Sequence, residues 1–205
     1  RTITLDSALL AGEVQPAQLA REDAGGKGIN VARVVAAAGV DTVAVLPLST
    51  DDPFDTALRA SGVTAHRVPI SGRARSNITI ADPAGVTTKL NLPGAVLGAV
   101  EARAVIDAVV AASAGWLALA GSLPPGVDAG FYVEVIRAVR AAYGTKAPHV
   151  AVDTSGAALR AVVDAGTADL IKPNDDELAE LAGLDLDGVE GALEQRVLAV
   201  ARRLV

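Results

Sequence analysis

Gly25-Gly26-Lys27-Gly28-Ile29-Asn30-Val31-Ala32-Arg33 joins a glycine-rich run to a helix-period segment. Ile29, Ala32, Val35 or Ala36, and Gly39 recur at helical spacing, which predicts a helix over 29–38 with one face against a sheet. Glycines before such a helix let the backbone approach a ligand, and the helix start offers unpaired N–H groups and a positive dipole end. Lys27 adds charge, and Asn30 in the first turn can donate and accept hydrogen bonds. The loop is not a Walker A loop, because Gly28 stands where Ser or Thr would follow the lysine. It is not a dinucleotide fingerprint either, because Val31 occupies the last glycine position and no strand is expected before it. By itself it reads equally as a ligand loop or as a glycine-rich turn.

Outward from that helix, short aliphatic runs alternate with helix-period stretches. Strands are expected at 43–48, 65–70, 116–120, 149–153 and 169–171. Helices are expected at 29–38, 53–61, 99–112, 128–143, 156–165, 175–182 and 189–204, the fourth capped by Asp128. This rhythm predicts an α/β fold with a mostly parallel sheet. Two regions break it. Residues 1–5 alternate apolar and polar, and so do 76–80 and 86–92, the latter pair joined by the turn Asp82-Pro83-Ala84-Gly85. A small antiparallel lid sheet is expected, its strands within about 1–15 and 74–94. Both ends read as unfinished, so 1–205 is taken as one incomplete domain.

The 205 residues are 51% hydrophobic and include one Trp, two Tyr and two Phe, so the expected core is aliphatic. No apolar run approaches the ~20 residues of a membrane span, and no export leader is evident, which points to the cytoplasm. The chain has no Cys and two His, far apart, which argues against thiolate or zinc centres. A net charge of −6 without a basic stripe argues against nucleic acid. An anionic ligand would need a few placed cations and backbone amides.

Three more motifs carry chemistry. Ala120-Gly121-Ser122-Leu123-Pro124-Pro125-Gly126 follows a strand, where open α/β sheets bind ligands, but Pro-Pro-Gly also makes an ordinary turn. Leu170-Ile171-Lys172-Pro173-Asn174-Asp175-Asp176-Glu177 ends a strand and opens a helix. Asn174 and Glu177 suit a helix cap, and equally suit ordering waters around phosphate-bound Mg²⁺. Arg75, Asn77, Lys89 and Asn91 lie on the hairpin, where an arginine fork could clamp a phosphate. Solvated charges on an exposed hairpin are the plain alternative.

The order of these motifs, with Val152-Asp153-Thr154-Ser155-Gly156 between the last two strands, resembles the PfkB carbohydrate kinases. Within that family it is most similar to the branch of the 1-phosphofructokinases and tagatose-6-phosphate kinases. The resemblance implies a ribokinase-like three-layer α/β/α fold with a β lid, and ATP- and Mg²⁺-dependent phosphorylation of a sugar phosphate. Fructose 1-phosphate is the expected acceptor, with tagatose 6-phosphate or fructose 6-phosphate as alternatives. The resemblance places Gly25, Gly26, Lys27, Asn30, Arg75, Asn77, Lys89 and Asn91 on the sugar phosphate. It places Lys172, Asn174 and Glu177 on the nucleotide, with Glu177 on Mg²⁺ directly or through water, and it implies a homodimer through the lid. The family's Asn-Pro-x-x-Asp and Gly-Ala-Gly-Asp motifs do not occur in these residues, so no catalytic aspartate is assigned and the chain alone is expected to be inactive. A non-catalytic sugar-phosphate-binding or regulatory protein is the reading of another class; a nicotinamide-dependent dehydrogenase is disfavoured by the failed fingerprint.

Overall fold

The computed structural model describes residues 1–112, 114–183 and 193–202. These residues form two compact units, Arg1–Val105 with Pro124–Gly126, and Ile106–Leu123 with Val127–Val205.

The first unit runs β1 (Thr2–Leu5), β2 (Ala17–Arg21), α1 (Lys27–Ala37), β3 (Ala44–Leu48), α2 (Phe54–Ala60), β4 (Ala65–Pro69), β5 (Asn77–Ala81) and β6 (Thr87–Asn91). It then enters α3 (Ala99–Ala111), which crosses the boundary between the units. β3 and β4 are a parallel pair, as strands joined by a helical crossover must be. Ala24, Ile29 and Ala32 pack with Leu48, Leu58 and Val63 into an aliphatic core, and Ile29 and Ala32 are two of the residues whose spacing predicted α1.

The lid sheet has the order β2-β1-β5-β6, with the central pair parallel and both outer pairs antiparallel. It extends further than the sequence implied, because β2 lies beyond residue 15. Ala17-Gln18-Leu19-Ala20-Arg21 shows no apolar–polar alternation, and all five residues are exposed. Pairing with β1 makes it a strand; its own side chains do not.

The second unit runs β7 (Trp116–Ala120), α4 (Phe131–Tyr143), a 3-10 turn (Gly144–Lys146), β8 (His149–Asp153), α5 (Gly156–Asp164), β9 (Leu170–Ile171), α6 (Asp175–Ala182) and α7 (Leu193–Ala201). β7, β8 and β9 form a parallel sheet in that order. Phe131, Tyr132, Val135, Ile136 and Val139 are the buried stripe of α4, and Val150 and Val152 of β8 are also buried. The helix begins at Phe131, three residues later than expected. Asp128 does not cap it: its Oδ1 accepts the Gly130 amide at 2.6 Å in a local turn before the helix. Of the expected helix at 189–204, residues 189–192 and 203–204 lie outside the described residues.

No helix among the described residues is long and apolar enough to cross a membrane.

Candidate functional site

The glycine loop leads directly into α1. Gly26 is the residue before α1, at φ 111° and ψ 144°, a conformation that side-chain-bearing residues rarely adopt. No side chain caps the helix and its first turn holds no acidic residue, so its amide end is left for solvent or a ligand. Lys27 opens the helix, and Lys27, Asn30 and Gly25 are all exposed.

On the lid, the register brings part of the predicted set together. Asn77 lies opposite Asn91, and Thr79 opposite Lys89. Because side chains alternate, Asn77, Thr79, Lys89 and Asn91 share one face, and Ile78, Ile80 and Leu90 share the other with Ile3 of β1. Arg75 precedes β5 on an exposed loop position. The cavity described in this unit, about 370 Å³, is lined by residues 49–51 and 70–73 and takes in none of the eight predicted acceptor residues.

Two carboxylates that the sequence reading overlooked hold the loop at 71–75. Glu101 Oε1 accepts the Ser71 amide at 2.8 Å, and its Oε2 accepts the Gly98 amide at 2.8 Å just before α3. Those two amides, Ser71 first, hold the Glu101 carboxyl below its usual range. Asp52 accepts the Ala74 amide at 2.6 Å. Gly98-x-x-Glu101 was a legible helix-start pattern, whereas nothing local announces a partner 22 or 30 residues away.

In the second unit, the remaining predicted residues all follow β9, at the carboxyl end of the parallel sheet. Lys172 follows β9, and its Nζ lies 3.7 Å from Asp153 Oδ1 at the end of β8. Asn174 Oδ1 accepts the Glu177 amide at 2.8 Å, and Glu177 Oε2 accepts the Asn174 amide at 2.9 Å, a reciprocal capping box on α6. Asn174 and Glu177, two of the three predicted nucleotide residues, therefore have a structural duty. Nearby, Gly121 O accepts both Tyr132 OH at 3.0 Å and Thr154 Oγ1 at 2.8 Å. Burial, and then the charge of Asp153, push the Tyr132 phenol up to about 12. Thr154 stands in the Val152–Gly156 motif but was given no role, and Tyr132 was not singled out, since a lone Tyr in a helix carries no local signal.

A glycine-opened helix, a four-stranded lid and ligand-suited loops at parallel strand ends define an α/β protein of ribokinase-like class. The chain belongs to the pfkB family of carbohydrate kinases, whose model matches residues 2–201. It is 34% identical to a 1-phosphofructokinase of Rhodobacter capsulatus over 94% of this chain and 64% of that protein. It is 35% identical to a 1-phosphofructokinase of Xanthomonas campestris over 99% of this chain and 64% of that protein. Among solved structures, Escherichia coli phosphofructokinase-2 in complex with fructose-6-phosphate matches with a TM-score of 0.86 at 27% identity, covering 100% of this chain and 65% of that one. The chain thus spans 64% of the length of the two 1-phosphofructokinases.

Proposed function

We propose that the full-length protein transfers the γ-phosphate of ATP to the 6-hydroxyl of fructose 1-phosphate, giving fructose 1,6-bisphosphate and ADP. The observation that carries this reading is the β5–β6 register: it gathers a cation, Lys89, and two amides, Asn77 and Asn91, on one sheet face beside the Arg75 loop. In a chain of −6 net charge, such placed groups are what an anionic, hydroxylated ligand requires. Arg75 and Lys89 hold the acceptor's phosphate, Asn77 and Asn91 its hydroxyls, and Gly25, Gly26, Lys27 and Asn30 complete its binding set. Lys172, Asn174 and Glu177 serve the nucleotide. The two units are read as parts of one kinase domain.

Among the described residues no group of three or more His, Cys, Asp or Glu could hold a metal ion. Mg²⁺ keeps most of its waters and binds through one or two carboxylates plus the nucleotide phosphates. Glu177, with one carboxylate oxygen on the Asn174 amide, is the residue here that would hold it, directly or through water. Once bound, Mg²⁺ neutralises charge on the transferring phosphoryl group. The chain's own part is positioning: cations and amides fix the acceptor, and a lid over it excludes water that would waste ATP. No proton acceptor is assigned among these residues. The lid's Ile3, Ile78, Ile80 and Leu90 face is the proposed homodimer surface, and the cytoplasm the proposed location.

A coupled ADP-release assay of the full-length protein with fructose 1-phosphate and fructose 6-phosphate tests the reading. A higher kcat/KM for fructose 1-phosphate supports it. The fructose-6-phosphate complex of the E. coli relative favours a second reading as a 6-phosphofructokinase, which the reverse preference would establish. Turnover of neither, with calorimetric binding of either, would leave a non-catalytic sugar-phosphate binder.

A further inference from the structure

Asp52 lies between β3 and α2, is 6% exposed, and belongs to none of the substrate-binding residues above. Buried carboxylates are rare and need strong partners. Its partners are two backbone amides far apart in sequence. Oδ1 accepts the Phe54 amide at 2.9 Å, in the first turn of α2. Oδ2 accepts the Ala74 amide at 2.6 Å, one residue before Arg75. The first bond is an ordinary helix start. The second has no bearing on the helix; it ties the chain beside Arg75 to a buried anchor, through a bond strengthened by the carboxylate's charge.

The opposite side of that chain is held as well. The Ala95 amide donates to Arg73 O at 2.8 Å. Gly94 runs so close that a Cβ there would lie 3.0 Å from Arg75 Cβ and 3.1 Å from its backbone nitrogen. The backbone at 73–75 is thus gripped on both sides, while Arg75 itself is exposed.

We infer that Asp52 is a positioning residue for Arg75, fixing the backbone from which the guanidinium reaches the acceptor's phosphate. This rests on the proposed role of Arg75. Rigid placement matters because a bidentate guanidinium–phosphate pair tolerates little displacement.

The test uses Asp52→Ser in the full-length protein. Serine keeps an acceptor for the Phe54 amide and so preserves the start of α2, but is too short to reach Ala74. The expected result is an acceptor KM for fructose 1-phosphate raised about tenfold, with kcat and the KM for ATP within about twofold of wild type. Hydrogen exchange at the Ala74 amide should quicken. Asp52→Asn, of nearly the same volume, serves should the serine variant fold poorly. Arg75→Ala is measured alongside. If Asp52 acts through Arg75, the double variant is no worse than Arg75→Ala alone. Multiplying penalties, or a uniform loss of activity with falling melting temperature, would overturn the inference. An effect of Arg75→Ala without any effect of Asp52→Ser overturns this inference alone; no effect of Arg75→Ala overturns the role of Arg75 and this inference with it.

Discussion

Tyr132 is buried along its ring but ends in a hydroxyl that donates to Gly121 O. Its phenol loses a proton near 10.0 when the chain is unfolded and near 12 when folded. The folded state therefore binds that proton more tightly, so the stabilisation is complete below pH 10 and is lost as pH rises from 10 to 12. The loss is at most about 3 kcal/mol, from two units at about 1.4 kcal/mol each. Tyr132→Phe should cost about 1 kcal/mol at neutral pH through the missing hydrogen bond, and should flatten the alkaline fall in stability. Urea denaturation of both proteins across that pH range checks it; parallel curves above pH 10 would contradict it. Glu177 poses a different problem, since its cap and its proposed metal role share one carboxylate. Glu177→Gln separates them, because glutamine still closes a capping box but brings no charge to Mg²⁺. The melting temperature should hold within about 3 °C while the half-saturating Mg²⁺ concentration rises about tenfold. An unchanged Mg²⁺ dependence would restrict Glu177 to its cap.

Elements were legible where burial wrote them into the chain. β7 and β8 appear at the residues expected, 116–120 and 149–153, because Leu119, Val150 and Val152 are buried and leave one arrangement of the run. α6 likewise matches 175–182, with its cap spelled out by Asn174 and Glu177. β2 was hidden because an exposed edge strand obeys its neighbour and not its own pattern. α4 shows how a buried stripe turns into stability: Ile136 and Val135 are 0% and 1% exposed. Ile136→Ala should cost about 2–5 kcal/mol, since the void at a fully buried position fills poorly. Gly126 is a harder case. It sits at φ 97°, and a Cβ there would collide with the Leu97 carbonyl, whose residue's amide in turn donates to Pro125 O at 2.7 Å. Gly126→Ala thus meets both backbone strain and a clash against immovable backbone, and should destabilise by more than about 2 kcal/mol. Thermal denaturation of both variants measures these; a Gly126→Ala protein melting with wild type would mean that the turn can relax.

Over the whole molecule, the residues proposed to bind the acceptor were easier to read than the carboxylates that hold the loop beside them. Gly25 to Asn30, Arg75 and Lys89 stand in short motifs, whereas Asp52 and Glu101 matter through amides 22 and 30 residues distant, a relation that only the fold creates. With 18 Lys and Arg against 24 Asp and Glu, these 205 residues carry a net charge of −6, and their share of the field opposes the approach of a sugar phosphate. An enzyme that draws its substrate in through a general field loses rate steeply with salt, by about 10- to 1,000-fold. Here salt should screen two opposed effects, the overall repulsion and the local attraction of Arg75 and Lys89. With a Debye length falling from about 10 Å at 0.1 M to about 3 Å at 1 M, the repulsion across the molecule fades before the contact attraction does. The kcat/KM for fructose 1-phosphate in the full-length protein should therefore vary less than about fivefold between about 0.05 and 0.5 M salt. Arg75→Ala at the lower salt should cost about tenfold or more, because it removes a direct contact. A steep monotonic fall with salt in the wild type would mean that a long-range field, and not placed groups, brings the anion in.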